Sequence, residues 1–490
     1  MRKTSIWTLV LILVAVTLSA CGNNSGGDKE KAAPAAANSG TPGKSGEATS
    51  LSQDPVAFTI LHNQGEYAWP AYQTITDSFN QETGNTSELK YIPAQELENW
   101  LQAQFVANSE PEIISGTGKF ADYFKNGWIV DMLPYIEEIS PYTNKPWKDS
   151  FLPGLIESAI DRTDAENPHL YGIPNQVVTT NLYYNKEIFS QIGVSEPPAT
   201  VSEFFEVLKK AKEAGFIPFS IQNSVDWNLG WIATDLFNYL WRPKLPELDL
   251  NQSGKIEMNE WAIAVMQDKV TKDSPELKEY LRFMKELAPY LNEGFNSASW
   301  EFEGIFNDGK SAMTINGSWY PNQHQQGGFK VDYGIAPMPY LDKGYSPKFG
   351  QDVRYKYKIG SAPSYAITRA AVKKKADGQA VQFLQYMTAP EGGAKVLAEQ
   401  LNLIPVVQGV EVPEILKPIM DSFGNDQQLV FNANEFSAEQ KDKWFKNQQK
   451  YLVGKMTADE FLNEFGKDLK KYATEAIKNH PEWNAEQYLK

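Results

Sequence analysis

Four tryptophans stand in polar, loop-like settings: Trp69 in GEYAWP, Trp227 and Trp231 in QNSVDWNLGW, and Trp319 in NGSWYP, where Tyr320 follows directly. An indole so placed can stack on the apolar C–H face of a sugar, or pack into a core, and the sequence leaves both readings open. Side chains able to donate and accept hydrogen bonds, which a rim of hydroxyls requires, are Glu66, Lys119, Gln176, Asn223 and Asp352. A second pattern could wrap a hard cation. Residues 249–260 read DLNQSGKIEMNE, with Asp249, Asn251, Ser253 and Glu260 at calcium-loop spacing, Gly254 at the turn and the Lys255 carbonyl as a further ligand. Pro243 and Pro246 oppose a normal entering helix, so a plain Ser-Gly-Lys turn is the alternative. Such a calcium ion would be structural, and no other cofactor is required.

Catalytic spacings are missing from the chain. There is no HExxH and no GxSxG, and the four histidines, His62, His169, His324 and His480, have no zinc-like spacing. The run Gly116-Thr117-Gly118-Lys119 lacks the leading glycine and trailing Ser or Thr of a phosphate-binding loop. The expectation is therefore that the chain is not an enzyme. A glycosidase whose carboxylate pair hides among 61 acidic residues is one alternative, and a surface adhesin or sugar-sensing accessory protein is another.

The N-terminus sets the compartment. Arg2 and Lys3 precede an apolar run from Ile6 to Leu18, too short for a structural membrane span, which reads as a signal peptide over residues 1–20. Leu18-Ser19-Ala20 before Cys21, the only cysteine, resembles a bacterial lipobox, in which the sulfur becomes a lipid anchor. Internal disulfides are excluded. Residues 21–54, rich in Gly, Ser, Ala, Pro and Asn, read as a flexible tether. Without Arg2 and Lys3 the chain carries 44 basic against 61 acidic groups, a net charge of −17, which disfavours nucleic acid and suits a neutral ligand.

Those side chains need elements to hold them. Val56 to Leu61 reads as a strand and Tyr72, Ile75 and Phe79 mark a helix; Glu112-Ile113-Ile114 and Phe120 to Trp128 repeat the arrangement, which implies parallel sheet. Thr200 and Glu203 form a capping box ahead of Phe204, Leu208 and Ala211, and strand-like Ile217 to Ile221 follows. Helical stretches around Val381 to Met387 and from Glu391 to Gln400 are separated at Pro390. Thr457 and Glu460 cap a last helix with Phe461, Phe465 and Leu469 on one face. About 435 residues follow the tether, too many for one core, so two α/β domains are expected. There are no internal repeats.

The segment LYGIPNQVVTTNLYYNKEIFSQIGVSEPPATVSEFFEVLKKAKEAGFIPF, from Leu170 to Phe219, resembles the extracellular sugar-binding proteins that include the maltose-binding protein. FNQETG at Phe79, FNDGKSAMTINGSWY at Phe306, YGIAPMP at Tyr333 and FLQYMTAPEGGAKVLAEQLNLIPV at Phe383 extend the resemblance over nearly the whole mature chain. It implies a two-lobed periplasmic-binding-protein-like α/β fold with a ligand cleft and a hinge. Lobe one would be residues 55–177 plus 338–388 and lobe two 178–337 plus 389–490, with crossings near Gln176, Ala336 and Met387. The resemblance puts a cleft tryptophan at Trp319. It further implies a monomeric, lipid-anchored component on the outer face of the cytoplasmic membrane, in a Gram-positive cell by family habit. That component would bind a carbohydrate, a neutral oligosaccharide given the several tryptophans, and hand it to ABC importer permease subunits.

Overall fold

Side chains alternate along three short strands and send apolar residues to both faces of a sheet. In the computed structural model, which describes residues 54–116, 118–162, 167–297, 301–327, 330–357 and 364–489, β1 (Thr59–His62), β2 (Glu88–Tyr91) and β3 (Ile113–Gly116) run parallel. Ile60 and Ile113 join Tyr72 and Phe79 of the helix Trp69–Thr83 in one core; Leu61 and Ile114 join Leu97, Leu101 and Phe105 of the helix Ala94–Ala107 in another. Covering both faces is how parallel sheets are stabilised, and the edge strand β2 alone of these three leaves side chains, Glu88 and Lys90, to water. Cys21, the leader and the tether to residue 53 lie outside the described residues.

A small hairpin, β4 (Ile139–Ser140) and β5 (Lys145–Pro146), stands apart from the two main sheets. The remaining strands are β6 (Ile173–Pro174), β7 (Thr180–Asn185), β8 (Ile217–Ser220), β9 (Ser311–Gly317), β10 (Tyr333–Pro337) and β11 (Ser364–Ile367). Sheet one has the order β2-β1-β3-β11-β6 and sheet two β10-β7-β9-β8. The expected parallel sheet is found in β1-β2-β3 and in β8-β9, but β11 runs antiparallel to β3 and β7 antiparallel to β9. The reason is topological. β7 and β11 enter their sheets from the opposite lobe, so no right-handed helical crossover dictates their direction.

The second lobe has its own core, with Phe204, Leu208, Phe219, Leu236, Trp241, Trp261, Met313, Ile315 and Phe461 among its members. Both expected capping boxes form, at Thr200 with Glu203 and at Thr457 with Glu460. The last apolar face is split between the helices Ala458–Lys467 and Leu469–Asn479.

The first crossing lies between β6 and β7, where Gln176 was expected to mark it. The other two are displaced from the expected positions. Leu341 and Phe349 are buried in the second core, so the chain returns to lobe one between Phe349 and Ser364, not at 338. Ala394, Leu397, Leu401, Leu403, Ile404 and Ile419 are buried in the first core, and the helix Gly393–Leu401 packs on Trp69–Thr83. The third crossing therefore lies between Met420 and Leu429 instead of near Met387, because the apolar segment after Pro390 completes lobe one. The second and third crossings run side by side, Tyr357 N–H donating to the Ser422 carbonyl at 3.0 Å and Gly424 N–H to the Tyr357 carbonyl at 2.8 Å.

Candidate functional site

β1 ends at His62 and β9 at Gly317, so Glu66, Trp69 and Trp319 follow the carboxyl ends of their strands, where open α/β sheets leave a ligand crevice. On the lobe-two side three of the expected tryptophans converge. Trp227 and Trp231, one turn apart at the start of the helix Asn228–Trp241, have ring centroids 4.7 Å apart, and Trp231 meets Trp319 edge-on at 5.9 Å. All three are half-buried. A side chain at Gly317 would place its first carbon 2.2 Å from the Trp319 ring, so that indole lies flat over the strand end only because residue 317 is glycine.

On lobe one Tyr67, Trp69 and the exposed Glu66 follow the end of β1. His62, buried behind Trp69 at 6.2 Å, stacks on Tyr72 at 4.6 Å, and burial pushes its pKa down to about 4, so it is neutral at physiological pH. The lobes come close at Tyr67, whose hydroxyl pKa is raised to about 12 by burial and by the negative fields of Tyr91 and of Glu303 from lobe two. Glu303 accepts a hydrogen bond from Asn316 Nδ2 at 2.8 Å, while burial raises its pKa.

From Trp231 the site continues into a pocket of about 380 Å³ lined by all three crossings: Val178 and Thr179, Arg354 and Tyr357, and Phe423 and Gln428. A wider groove of about 440 Å³ at Lys278, Arg282 and Tyr451 lies on lobe two alone, and its Arg282 is already paired with Glu279 and Glu286.

The other sequence-derived candidates are placed differently. Tyr320 does not extend the Trp319 surface: its ring is wholly buried, edge-on to Tyr183 at 4.9 Å, with its hydroxyl donating to Asn307. Asn223 is buried with its amide group and backbone engaged by Asn296, Gln448, Phe295 and Gln449. Lys119 and Asp352 are exposed and paired with Glu98 and Lys343. Gln176 is buried at the crossing, its Oε1 without a hydrogen-bond partner.

In the loop at 249–260 the oxygens are taken up by the backbone. Glu260 accepts from the amides of Leu250 (2.7 Å), Asn251 (3.1 Å) and Glu257 (2.8 Å), and Asp249 from those of Ser253 (2.9 Å) and Gly254 (2.8 Å). The Ser253 hydroxyl donates to the Lys255 carbonyl at 3.3 Å. Among the described residues no group of three or more His, Cys, Asp or Glu side chains is arranged to hold a metal ion.

Sequence reasoning missed Tyr67, Glu303, Asp235, Tyr239, Arg354 and Tyr357. One signal was present: Trp227, Trp231, Asp235 and Tyr239 recur every four residues, a stripe interrupting an otherwise apolar helix. The others depend on chain crossings that no local pattern encodes.

Comparison with known proteins agrees with this architecture. The chain is 24% identical over 433 residues to the maltotriose-binding protein of Pyrococcus abyssi, covering 86% of this chain and 82% of the relative. It is 29% identical over 178 residues to an uncharacterised ABC transporter extracellular-binding protein of Pyrococcus horikoshii, spanning 37% of that protein and 35% of this one. Among solved structures, a chitin oligosaccharide binding protein superposes with a TM-score of 0.63 at 21% identity, covering 85% of this chain and 99% of its own. The raffinose complex of the solute-binding protein RafE gives 0.61 at 18% identity, covering 84% and 99%. Residues 74–419 match the model of the bacterial extracellular solute-binding proteins, and the chain belongs to that family.

Proposed function

We propose that this protein captures a neutral oligosaccharide between its lobes and presents it to the permease subunits of an ABC importer, without transforming it. The observation that carries the reading is the convergence of Trp227, Trp231 and Trp319, half-buried, with Trp231 lining a pocket bounded by the three chain crossings. Flat aromatic faces match the C–H faces of pyranose rings, and the surrounding amides, hydroxyls and carboxylates match their hydroxyl rims. Relatives named for binding maltotriose, galactooligosaccharide, chitin oligosaccharide and raffinose support the ligand class. A net charge of −17 after removal of Arg2 and Lys3 supports neutrality.

In this reading the lobes rotate about the crossings, ligand contacts made by both lobes favour the closed form, and the closed form docks on the permease. The chain is held at the outer face of the membrane by lipid on Cys21 and works as a monomer. The test is a thermal-shift screen of residues 22–490 against maltotriose, raffinose, chitotriose and monosaccharides, followed by calorimetry and analysis of the recovered sugar. Saturable stabilisation with intact sugar is expected. Consumption of the sugar would make the protein a glycosidase, and silence across the panel would remove carbohydrate as the ligand.

A further inference from the structure

At the inner end of the pocket, four residues along the helix from Trp231, Asp235 presents a carboxyl group with an unusual environment. Its Oδ2 is sealed from solvent and has no hydrogen-bond partner. Behind it the wall is apolar, with Val201, Phe204, Phe283 and Leu341. The charged group facing it is Arg354, from the segment after β10, and the titratable hydroxyls nearby are those of Tyr239 on the same helix and Tyr357 at the crossing. Arg354 does not close on the carboxylate: its guanidinium donates to the backbone carbonyls of Met338 and of Ala199, the latter at 3.2 Å. The Tyr357 hydroxyl is buried beside that of Tyr239, with which it interacts. One carboxylate oxygen without a donor therefore lines a cavity beside an arginine committed to backbone carbonyls, with the rings of Tyr239, Tyr355 and Phe423 as walls.

An enclosed carboxylate oxygen without a donor is costly to a fold and is kept where a ligand supplies the donor. Arg354 supplies a compensating charge, so the pocket as a whole suits an uncharged guest rich in hydroxyls. About 380 Å³ lies at the lower end of the range for small-ligand sites, about 300–1,000 Å³.

We propose that the hinge pocket seats one terminal unit of a neutral sugar, with Asp235 accepting hydrogen bonds from its hydroxyls and Tyr357 on the polar rim, so that Asp235 sets specificity for a hydroxylated, uncharged end group. This rests on the capture reading above and deepens it. Burial raises the pKa of Asp235 to about 7, against the lowering effect of Arg354, so the group titrates in the physiological range when the pocket is empty. Hydroxyl donors favour the ionised carboxylate. Bound sugar therefore lowers this pKa, and affinity rises with pH across the titration.

The experiment is calorimetry between about pH 5.5 and 8.5 with maltotriose, raffinose and chitotriose on the wild-type chain and on Asp235→Asn. The wild type should bind at least one of the three, more tightly as pH rises. Asp235→Asn should bind it about ten- to a hundredfold more weakly at the alkaline end, with a flat pH profile. Melting of the ligand-free variant gives the second readout. It should match or exceed the wild type at pH 8, because an ionised, unpartnered oxygen has been removed. Unchanged affinity and unchanged pH slope in Asp235→Asn, with sugar still bound, would overturn the role of Asp235 while leaving capture intact. A ligand-free variant that melts well below the wild type would make Asp235 structural and overturn it equally. No binding of any of the three sugars to the wild type would bring down the capture reading, and this inference with it.

Discussion

The two lobes bring different chemistry to the cleft. Lobe two offers half-buried indoles whose faces are not fully covered, together with Asp235 Oδ2, which has no donor. Lobe one ties its buried side chains together, Asn175 Nδ2 donating to the Tyr72 hydroxyl at 2.6 Å, Ser115 Oγ to Asn63 at 2.9 Å, and Gln64 N–H to His62 Nδ1 at 3.3 Å, and leaves amide and imidazole atoms, Asn175 Oδ1, Gln176 Oε1 and His62 Nε2, without partners where lobe two leaves a carboxylate oxygen. The difference suggests a division of labour, with lobe two as the surface on which a ligand first rests and lobe one as a preorganised plate that closes over it.

The sharpest break between the lobes should be in their response to acid. The folded pKa of His62 lies at about 4, below its ordinary value of 6.5, so the stability it contributes is fully present above pH 6.5 and is lost as pH falls through about 4. Integrated, the loss is about 3 kcal/mol. Asp235 works in the opposite sense: its raised pKa favours the folded state below its ordinary 3.8 and withdraws that contribution as pH rises through about 7. Urea unfolding of ligand-free protein at several pH values, with His62→Phe as reference, separates the two. Identical slopes for wild type and variant below pH 6 would remove His62 as the source of acid sensitivity.

Next in size is ligand affinity. Trp231→Ala and Trp319→Ala should each weaken sugar binding by about 2 kcal/mol, the range of buried aromatic anchors, and Trp69→Ala on lobe one by about 1 kcal/mol or less. Calorimetry on the sugar found in the screen decides it, and equal losses on both sides would erase the asymmetry. Gly317→Ala should mimic Trp319→Ala, because the added methyl displaces the indole.

A smaller effect separates scaffold from site within lobe two. Thr200→Ala removes the hydroxyl that accepts from Glu203 N–H at 3.1 Å and should lower stability by about 1 kcal/mol with sugar affinity unchanged. Coupled loss of affinity would mean that the helix Val201–Glu213 tunes the pocket it backs through Phe204.

That capping box shows what the sequence could reveal. Thr200 with Glu203 and Phe204, Leu208 and Ala211 at helical spacing are local signals, and the helix formed where they placed it. The two-lobed fold and the stacking role suggested for Trp319 came from longer motifs shared with a family. Tyr320 went wrong because adjacent residues at a helix start point to different sides, and there a ring beside Asn307 and Tyr183 finds a better-packed home. The third crossing was misplaced because Leu397 to Val407 carry apolar patterns that suit either lobe; only packing on the helix Trp69–Thr83 assigns them. Asp235 and Arg354 are 119 positions apart and meet only once the crossings are fixed.

The smallest expected effect concerns the loop at 249–260, the one other oxygen-rich feature of lobe two that the sequence marked for chemistry. Its spacing fits a calcium loop, yet spacing does not say which way oxygens face. Glu260 spends both carboxylate oxygens on three backbone amides, and Asp249 spends both of its own on two. A cation would have to strip these amides of acceptors, leaving donors beside a dication, and the hydrogen bonds lost would offset much of the ion's binding energy. Calcium in excess, or a chelator, should therefore leave the melting temperature unchanged, whereas Glu260→Ala should lower it with or without calcium. A calcium-dependent rise that disappears in Glu260→Ala would show the loop rearranging around the ion, and lobe two would then hold two oxygen sites instead of one.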